Sequence, residues 1–331
     1  MNEKKKVMAL CDTEEEYARL FTDYLRKNRN LPWEVHTYTG VADLLREETE
    51  GFELLAVAES AYCEELQALC PLRLVILSES GTLRWGNALY VDKYQPAEEV
   101  LRYLLQVYAE VADSNLPRLK KDHNTVFIGN FSPVRRSMQT SFALAFGQLL
   151  SEEHPTLYLN FEYCAGIGEL LPNLQTMDMA DLLYFLSAEK EKFRLRMQTI
   201  CRKVGKLDYV PPMKSGQNLL AIKPAEWMEL LQKIEEMGEY EYVILDLSEG
   251  VQGLHEILRA CRKVFTFAED DRAANSKLLQ YEQLLALQEY NDVLEKTRRL
   301  TPPRIRRIPE GLEQLTRGEF ADWVKKTVEE D

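Results

Sequence analysis

Hydrophobic positions along the chain follow two alternating patterns: short continuous apolar runs, and longer stretches in which apolar residues recur every three or four positions. The first run, VMALC, starts at Val7, and apolar residues at i, i+3, i+4, i+7 and i+8 follow it between 17 and 25. Thr13 and Glu16 have the spacing of a capping box at a helix start. This alternation predicts buried strands connected by amphipathic helices.

The alternation continues to about residue 111 and then stops. The stretch ADSNLPRLKKDHN, 112–124, contains Pro, Asn, Asp and a charge cluster but has no apolar period, which is typical of a linker. We therefore predict a first domain at 1–113, a linker at 114–124 and a second domain at 125–331. The first domain has predicted strands VMALC, WEVHTY, ELLAVA, LRLVIL and ALYV, and predicted helices at about 13–29, 41–49 and 96–111.

The second domain repeats the same pattern. Because apolar strands alternate with helices, both domains are expected to be α/β and doubly wound, with mainly parallel sheets covered on both faces. The second domain has predicted strands TVFIGN, TLYLNF, LDYV, YEYVILDL, KVFTFA and RIRRI, and predicted helices at about 138–150, 179–204, 224–237, 253–261, 273–290 and 317–329.

Composition and charge narrow the classes of partner. The chain has 331 residues and a net charge of −13, which disfavours nucleic acid because phosphate neutralisation needs a positive field. The basic clusters at 118–121, 194–203 and 298–307 are expected on a solvated surface, and a local contact with DNA or with a protein partner is the alternative. Six cysteines without a CxxC pair, and four scattered histidines, predict no metal site and suit a reducing cytoplasm. No window approaches 18 apolar residues, so membrane contact is expected to be peripheral or through partners.

Three polar residues follow strands of the first domain in a specific order. Asp12 follows the first strand, Ser78 ends the fourth and Lys93 follows the fifth. With the order of elements, they resemble the receiver domain of response regulators. The resemblance implies a flavodoxin-like fold in which an acid after the first strand holds a metal, and a hydroxyl and a lysine end the last two strands. Asp12 and Lys93 are then either an internal ion pair or the remnant of a metal site.

The phospho-acceptor that this resemblance implies is missing. Ala58 stands where an Asp should end the third strand, and Cys11 stands where a second metal-holding acid is expected. Glu59 comes one residue late, and because side chains alternate faces along a strand, its carboxylate is expected to point away. We predict a receiver-like domain that is not phosphorylated, with Glu59 or Asp92 as alternative acceptors.

The segment after TVFIGN resembles the deviant Walker A region of the MinD/ParA ATPases, whose pattern is roughly S-P-K-G-G-x-G-K-T-T. Such a loop binds phosphate because its glycines let successive backbone N–H groups point at the phosphates, while lysine supplies charge. Both lysines and all three glycines are replaced here. The matching residues are Ser132, Pro133, Thr140 and Ser141, and the replacements are Val134, Arg135, Arg136, Met138 and Gln139.

Two later strands resemble the acidic strands of the same ATPases. Asn160 and Glu162 stand where two Asp residues are expected, and an amide cannot act as the base that activates water. Asp246 matches the acid that holds Mg²⁺. Losing the charge and the backbone cradle should remove several kcal/mol of phosphate binding, against roughly 8 kcal/mol needed for micromolar affinity. No cofactor is therefore expected, and binding of ATP and Mg²⁺ is the alternative.

One positive feature remains in the altered loop. Arg135, Arg136 and Thr140 gather at a predicted helix N-terminus, where backbone N–H groups and the helix dipole favour anions. They are candidate ligands for a phosphate or for a partner's carboxylate. The alternative is two arginines on a solvated loop.

A receiver-like domain followed by a MinD/ParA-like domain resembles the CpaE/TadZ proteins of bacterial pilus assembly. The resemblance implies a cytoplasmic protein recruited to the cell pole or the inner membrane face, with protein partners in a Tad/Flp-type pilus or a secretion system. Because both sites are degenerate, we expect a scaffold or localisation factor rather than an enzyme, and homodimerisation without nucleotide. The apolar run 182–186 is expected to be core or, alternatively, part of that interface.

Two other functions stay open at this point. The first is an atypical ATP-binding switch ATPase of the MinD/ParA type. The second is a partitioning-type or regulatory protein that binds DNA through Arg304, Arg306 and Arg307.

Overall fold

The computed structural model of this chain divides into two compact α/β units. The first unit comprises Met1–Pro117 with Glu191–Thr199, and the second comprises Arg118–Lys190 with Ile200–Asp331. Except for Asn124, the predicted linker lies outside the described residues, so its bounds stay a prediction. The described residues are 6–28, 31–46, 51–69, 71–81, 84–85, 88–112, 124–134, 138–166, 177–267, 271–302 and 311–329.

The first unit contains a five-stranded parallel sheet with the strand order β2-β1-β3-β4-β5. Its strands are β1 (Val7–Cys11), β2 (Glu34–Tyr38), β3 (Leu54–Ala58), β4 (Arg73–Ser78) and β5 (Leu89–Asp92). Its connecting α-helices are α1 (Glu15–Lys27), α2 (Val41–Arg46) and α3 (Ala97–Ala109), and two 3₁₀ turns follow β3 at Glu59–Ala61 and Glu64–Leu69.

Both faces of this sheet are covered by apolar side chains. Met8 and Leu10 belong to one apolar cluster with residues of α1 and α3, whereas Ala9 and Cys11 belong to a second cluster with residues of α2 and the 3₁₀ turns. Successive side chains of a strand point to opposite faces, so a strand covered on both faces must be apolar throughout. This explains why the strands of the sequence are continuous apolar runs rather than alternating ones.

The second unit contains a seven-stranded sheet with the order β12-β11-β6-β10-β7-β9-β8, in which only β8 and β9 pair antiparallel. Its strands are β6 (Val126–Asn130), β7 (Thr156–Phe161), β8 (Arg202–Val204), β9 (Leu207–Val210), β10 (Tyr242–Leu247), β11 (Lys263–Phe267) and β12 (Thr297–Leu300).

One face of this sheet packs against α4 (Met138–Ser151) and α12 (Gly318–Glu329). Phe142 of α4 is fully buried there and contacts the rings of Phe265, Phe267 and Trp323 at centroid distances of 5.3–5.4 Å. The remaining α-helices among the described residues are α5 (Met179–Ala188), α6 (Phe193–Ile200), α7 (Gly216–Ala221), α8 (Pro224–Met237), α9 (Leu254–Ala260), α10 (Arg272–Leu287) and α11 (Asn291–Glu295), of which α6 belongs almost wholly to the first unit.

The segment Glu191–Thr199 belongs to the first unit although the chain around it belongs to the second. Leu195 is buried in the same apolar cluster as the residues of α1 and α3, and Lys192 Nζ donates a hydrogen bond of 3.4 Å to the carbonyl oxygen of Ala109. The first unit is therefore completed by residues from the far side of the linker, which no local pattern in the sequence indicates.

Several local predictions differ from the structure. Helix α1 starts at Glu15 without a side-chain cap. The Thr13 hydroxyl lies 3.2 Å from Ser60 Oγ instead of bonding to the helix, so the predicted capping box is wrong. Residues 202–204 form β8 and not a helix. The strand-like RIRRI lies outside the described residues, and the described edge strands of the sheet are β12 and β8.

Candidate functional site

A row of polar side chains crosses the centre of the second sheet at the carboxyl ends of its strands. Asp246 of β10 is in register with Asn130 of β6 and with Asn160 of β7, and all three side chains are buried. Residues paired in parallel strands point to the same face, so the three polar groups meet under the N-terminus of α4. This places the predicted residues Asn160 and Asp246 in one cluster.

Asp246 is the centre of this cluster and is fully buried. Its Oδ1 accepts a hydrogen bond of 2.7 Å from Gln139 Nε2, and its Oδ2 accepts bonds from Tyr158 Oη at 2.9 Å and from Asn160 Nδ2 at 3.2 Å. Burial raises the pKa of Asp246, and the hydrogen bonds from its neighbours oppose that shift. The donors around this acid are uncharged, so its negative charge is not neutralised by these contacts.

Gln139 takes the position at which the resemblance implies the phosphate-holding lysine. The same Nε2 that bonds to Asp246 lies 3.2 Å from the carbonyl oxygen of Asn130 and 3.0 Å from that of Leu247. The amide is neutral, and its N–H groups already point at protein acceptors. Gln139 therefore offers neither the charge nor free donors that a phosphate would need.

Thr140 and Glu162 lie at the edge of the cluster. Ser141, the next residue of α4, is half-buried. Thr140 Oγ1 donates a hydrogen bond of 3.2 Å to Glu162 Oε2, and the Glu162 backbone N–H donates one of 3.0 Å to Asn160 Oδ1. Burial and then the charge of Asp246 raise the pKa of Glu162 to about 7. Glu162 and Asp246 thus bring two acids close together at one side of the cluster.

The start of the segment that resembles a phosphate-binding loop is packed as apolar core. Val134, where that resemblance implies a lysine, is buried in a cluster with Ala274 and Leu278 of α10. Phe131 contacts Tyr281 of the same helix at a ring distance of 5.3 Å. Ser132 Oγ accepts from the backbone N–H of Val134 at 3.2 Å and donates to the carbonyl oxygen of Phe267 at 3.1 Å. This part of the loop is held by α10 and not open to a ligand.

The candidate anion ligands Arg135 and Arg136 lie, with Ser137, outside the described residues. Of that predicted group, only Thr140 is placed, and its hydroxyl is bonded to Glu162. Anion binding by the two arginines therefore stays a prediction.

In the first unit, the predicted residues Asp12 and Lys93 form a buried ion pair. Lys93 Nζ lies 2.9 Å from Asp12 Oδ2, 3.1 Å from Glu79 Oε1 and 3.3 Å from Glu14 Oε1, and both Asp12 and Lys93 are fully buried. Burial alone would lower the pKa of Lys93, but the hydrogen bonds to Asp12 and Glu79 raise it above its ordinary value. These contacts are those expected for the ion-pair alternative, and the choice between that alternative and a metal-site remnant stays a prediction.

The position of the missing phospho-acceptor is occupied by the buried methyl group of Ala58. Glu59 starts a 3₁₀ turn, and its carboxylate accepts from Ser78 Oγ at 3.2 Å and from the Ser80 backbone N–H and hydroxyl at 3.0 and 2.7 Å. The Ser80 hydroxyl, the largest cause, and the backbone N–H groups of Ser80 and Glu79 lower the pKa of Glu59 to about 2. Glu59 and the predicted Ser78 thus fix the loop after β4.

The other alternative acceptor, Asp92, caps a turn. Its Oδ1 accepts the backbone N–H of Tyr94 at 2.9 Å, and its side chain is exposed at the end of β5. Within the described ranges, no group of three or more His, Cys, Asp or Glu side chains is arranged to hold a metal ion. None of the described helices is long and apolar enough to cross a membrane.

The apolar run 182–186 is mostly core. Leu182, Leu183 and Leu186 are buried in α5, while Tyr184 is 63% exposed. The core alternative of the sequence analysis is therefore correct for the three leucines.

Sequence reasoning missed several members of both clusters. Tyr158 lies two residues before Asn160 on the same strand, so a period of two would have placed both on one face. Asn130 ends the apolar run of β6 and has a buried Oδ1 without a hydrogen-bond partner among the described residues. Glu14 and Glu79 are neighbours of predicted residues in the sequence, but nothing in their spacing indicates that both reach Lys93.

No protein-family profile matches this sequence, and no curated protein matches it. Among solved structures, this chain is similar to a ParA family ATPase from Chlorobium tepidum, with 15% identity, 61% of this chain and 89% of that chain covered, and a TM-score of 0.45. It is also similar to a plasmid partition protein from Borrelia burgdorferi bound to AMPPNP, with 12% identity, coverage of 62% and 97%, and a TM-score of 0.46. A third similar structure is MinD in the MinC:MinD cell division complex of Aquifex aeolicus, with 15% identity, coverage of 53% and 68%, and a TM-score of 0.41.

Proposed function

We propose that this chain is a non-catalytic scaffold or localisation factor of the CpaE/TadZ type, which works without hydrolysing ATP. The observation that carries the proposal is the pairing of Gln139 with Asp246 at 2.7 Å. An ATPase of this architecture needs a cation for the phosphates and an acid free to hold Mg²⁺. Here the cation is replaced by an amide, and the acid accepts three hydrogen bonds from the protein.

The apolar packing of Val134 supports the same proposal. A loop that binds a phosphate must keep its backbone N–H groups open, but here the N–H of Val134 bonds to Ser132 Oγ and the side chain packs on α10. This packing of Val134 supports the proposal that the loop does not serve as a nucleotide site.

The first unit supports a role in binding other proteins rather than in signalling. Phosphorylation requires an acceptor carboxylate, and Ala58 has none, while Glu59 is occupied by four hydrogen bonds to the loop after β4. We propose that the unit is a fixed docking module. Its partners would be components of a Tad/Flp-type pilus or a secretion system at the cell pole or the inner membrane face, with the chain itself in the cytoplasm and self-associating without nucleotide.

The proposal is tested in the cell that makes the protein. Deleting the gene should abolish pilus or secretion assembly, and a Thr140→Ala variant should restore it, because the hydroxyl that an ATPase needs for Mg²⁺ is dispensable in a scaffold. A Leu182→Asp variant, which disrupts the core of the second unit, serves as the negative control. Normal assembly after deletion would exclude the assembly role, and a folded Thr140→Ala protein that fails to restore assembly would favour a nucleotide switch.

A further inference from the structure

Strand β2 forms one edge of the sheet in the first unit, and a groove runs along its outer side. The strand pairs with β1 in a continuous parallel register, and among the described residues no other strand pairs with it. The groove has a volume of about 230 Å³ and lies between this edge and the outer flank of α1. Its lining includes Arg19, Thr22, Asp23 and Arg26 of α1, with Thr37 and Thr39 at the edge.

The backbone of β2 directs hydrogen-bonding groups away from the sheet at this edge. The Glu34 backbone N–H donates a hydrogen bond of 2.8 Å to the carbonyl oxygen of Lys6 and so points toward β1. Because backbone groups alternate along a strand, those of Val35 and Thr37 point outward. They have no backbone partner within the described part of the chain. The strand also contains no lysine or proline, which protect many natural edges, so it can accept a further strand.

The side chains of a strand added at this edge would enter the groove. Residues paired across neighbouring strands share a face of the sheet, so alternate side chains of the added strand stand beside those of Val35, Thr37 and Thr39. Val35 belongs to the apolar cluster that includes residues of α1, and the two threonines line the groove. The added strand therefore has three positions on the α1 side, two residues apart.

Helix α1 places an arginine near each of the two outer positions. The hydroxyl oxygens of Thr22 and Thr37 lie 2.7 Å apart, so Thr22 is level with the middle position. The helix runs antiparallel to the strands that it connects. At about 1.5 Å per helical residue and about 3.3 Å per strand residue, Arg26 comes level with the first position, beside Val35, and Arg19 lies close to the level of the third.

Neither arginine is strongly neutralised by its own chain. Arg26 forms no ion pair with any described residue. Arg19 lies 4.0 Å from Asp23, and both side chains are more than half exposed, so this pair stabilises little. A further acid of the lining, Glu15, lies one helical turn beyond Arg19, past the third position. The two outer positions therefore favour acidic side chains.

We propose that the β2 edge binds an extended segment of a partner protein as a sixth strand, with an acidic side chain beside each arginine and a small polar side chain between them. Main-chain hydrogen bonds to Val35 and Thr37 supply the affinity, and the arginines select acids four residues apart. The Thr22–Thr37 bond uses one hydroxyl proton, and the other is available to the middle side chain. This surface serves the docking role proposed above for the first unit and rests on that role.

The test is an NMR titration of the isotope-labelled full chain with the peptide acetyl-STETTTETS-amide, which has two glutamates four residues apart around a threonine. Binding should shift the amide resonances of Val35 and Thr37, because their N–H groups gain an acceptor. A short edge contact with exposed ion pairs gives weak affinity, so the expected Kd is about 0.1–1 mM. The neutral peptide acetyl-STQTTTQTS-amide should bind about threefold more weakly.

Substitutions in the groove test the charges and the backbone separately. Arg26→Glu should raise the Kd of the acidic peptide about threefold to tenfold, whereas Lys27→Glu, the same charge change on the next, exposed residue outside the groove, should stay within about twofold of wild type. Thr37→Pro removes an outward N–H and should abolish binding. Thr37→Val loses the same hydroxyl but keeps the N–H and should still bind. Thermal unfolding shows that each variant is folded.

Three results would overturn this surface. The first is the absence of shifts at Val35 and Thr37 up to about 5 mM peptide, well above the expected Kd. The second is an equal effect of Arg26→Glu and Lys27→Glu on the Kd. The third is a shift of the same two amides with protein concentration alone, which would show that a second copy covers the edge. Each leaves the scaffold proposal standing, because that proposal is tested by complementation in the cell.

Discussion

Replacing Glu162 by Gln should remove a pH dependence of stability that the folded pocket creates. Burial and the Asp246 charge raise the pKa of Glu162 from 4.5 to about 7. A carboxyl with a raised pKa binds its proton more tightly in the folded chain, so its stabilising effect is complete below about pH 4.5 and is lost as the pH rises through about 7. Glutamine is neutral over this range and keeps an oxygen that can accept the hydrogen bond from Thr140.

The size of the effect follows from that shift. At about 1.4 kcal/mol for each pKa unit, the change corresponds to at most about 3 kcal/mol. Glu162 is only partly buried, and solvent screening reduces the expected value to about 1–2 kcal/mol. For a unit of this size, the melting temperature of wild type should fall by roughly 3–6 °C relative to that of Glu162→Gln as the pH rises.

Differential scanning calorimetry between about pH 5 and about pH 8 measures this effect, since this range spans the loss of the Glu162 proton. The transition of the second unit is identified as the one that Phe142→Ala lowers, because Phe142 is at the centre of its core. Wild-type protein should lose stability relative to Glu162→Gln as the pH rises. Glu153→Gln, an exposed acid of the same unit, should follow wild type. Parallel pH curves for wild type and Glu162→Gln would refute the reasoning about this pocket.

Three further substitutions test the packing of the two units by calorimetry or urea unfolding. Gln139→Leu should destabilise the second unit by about 1.5–3 kcal/mol, because buried Asp246 loses a donor, and an unchanged stability would contradict the geometry of the pair. Lys93→Met should destabilise the first unit by about 3–5 kcal/mol, because Asp12 becomes a buried charge without its partner; a change below ~1 kcal/mol would show that Asp12 is neutral or hydrated. Leu195→Ala should lower the transition of the first unit by about 2–5 kcal/mol, whereas a shift confined to the second unit would contradict the assignment of Glu191–Thr199.

The fold class was predictable because its signal is local. Continuous apolar strands alternating with periodic helices require a parallel sheet covered on both faces, and both sheets have this form. Helix α8 coincides with the predicted range because Pro224 starts it and Gly238 ends it in a left-handed conformation. Predictions failed where a distant residue decides the local structure, as when Ser60 takes the hydroxyl of Thr13.

The candidate site was predictable only in part. The resemblance to the MinD/ParA ATPases implied that Gln139, Asn160 and Asp246 belong to one site, and in the structure both Gln139 and Asn160 bond to Asp246. Their hydrogen bonds depend on the register of strands far apart in the sequence, so the partners of Val134 did not follow from spacing. Tyr158 could have been placed on the face of Asn160 by the period of the strand, but its bond to Asp246 could not. The contribution of Glu191–Thr199 to the first unit is likewise a tertiary contact with no local signature.

The proposed scaffold function implies that the second unit does not bind nucleotide. Isothermal titration of the full chain with ATP and Mg²⁺, up to about 5 mM, tests it directly, since loss of the phosphate contacts should leave the Kd above the millimolar range. The account predicts no saturable heat and no release of phosphate. Saturable binding with a micromolar Kd that Thr140→Ala abolishes would contradict it.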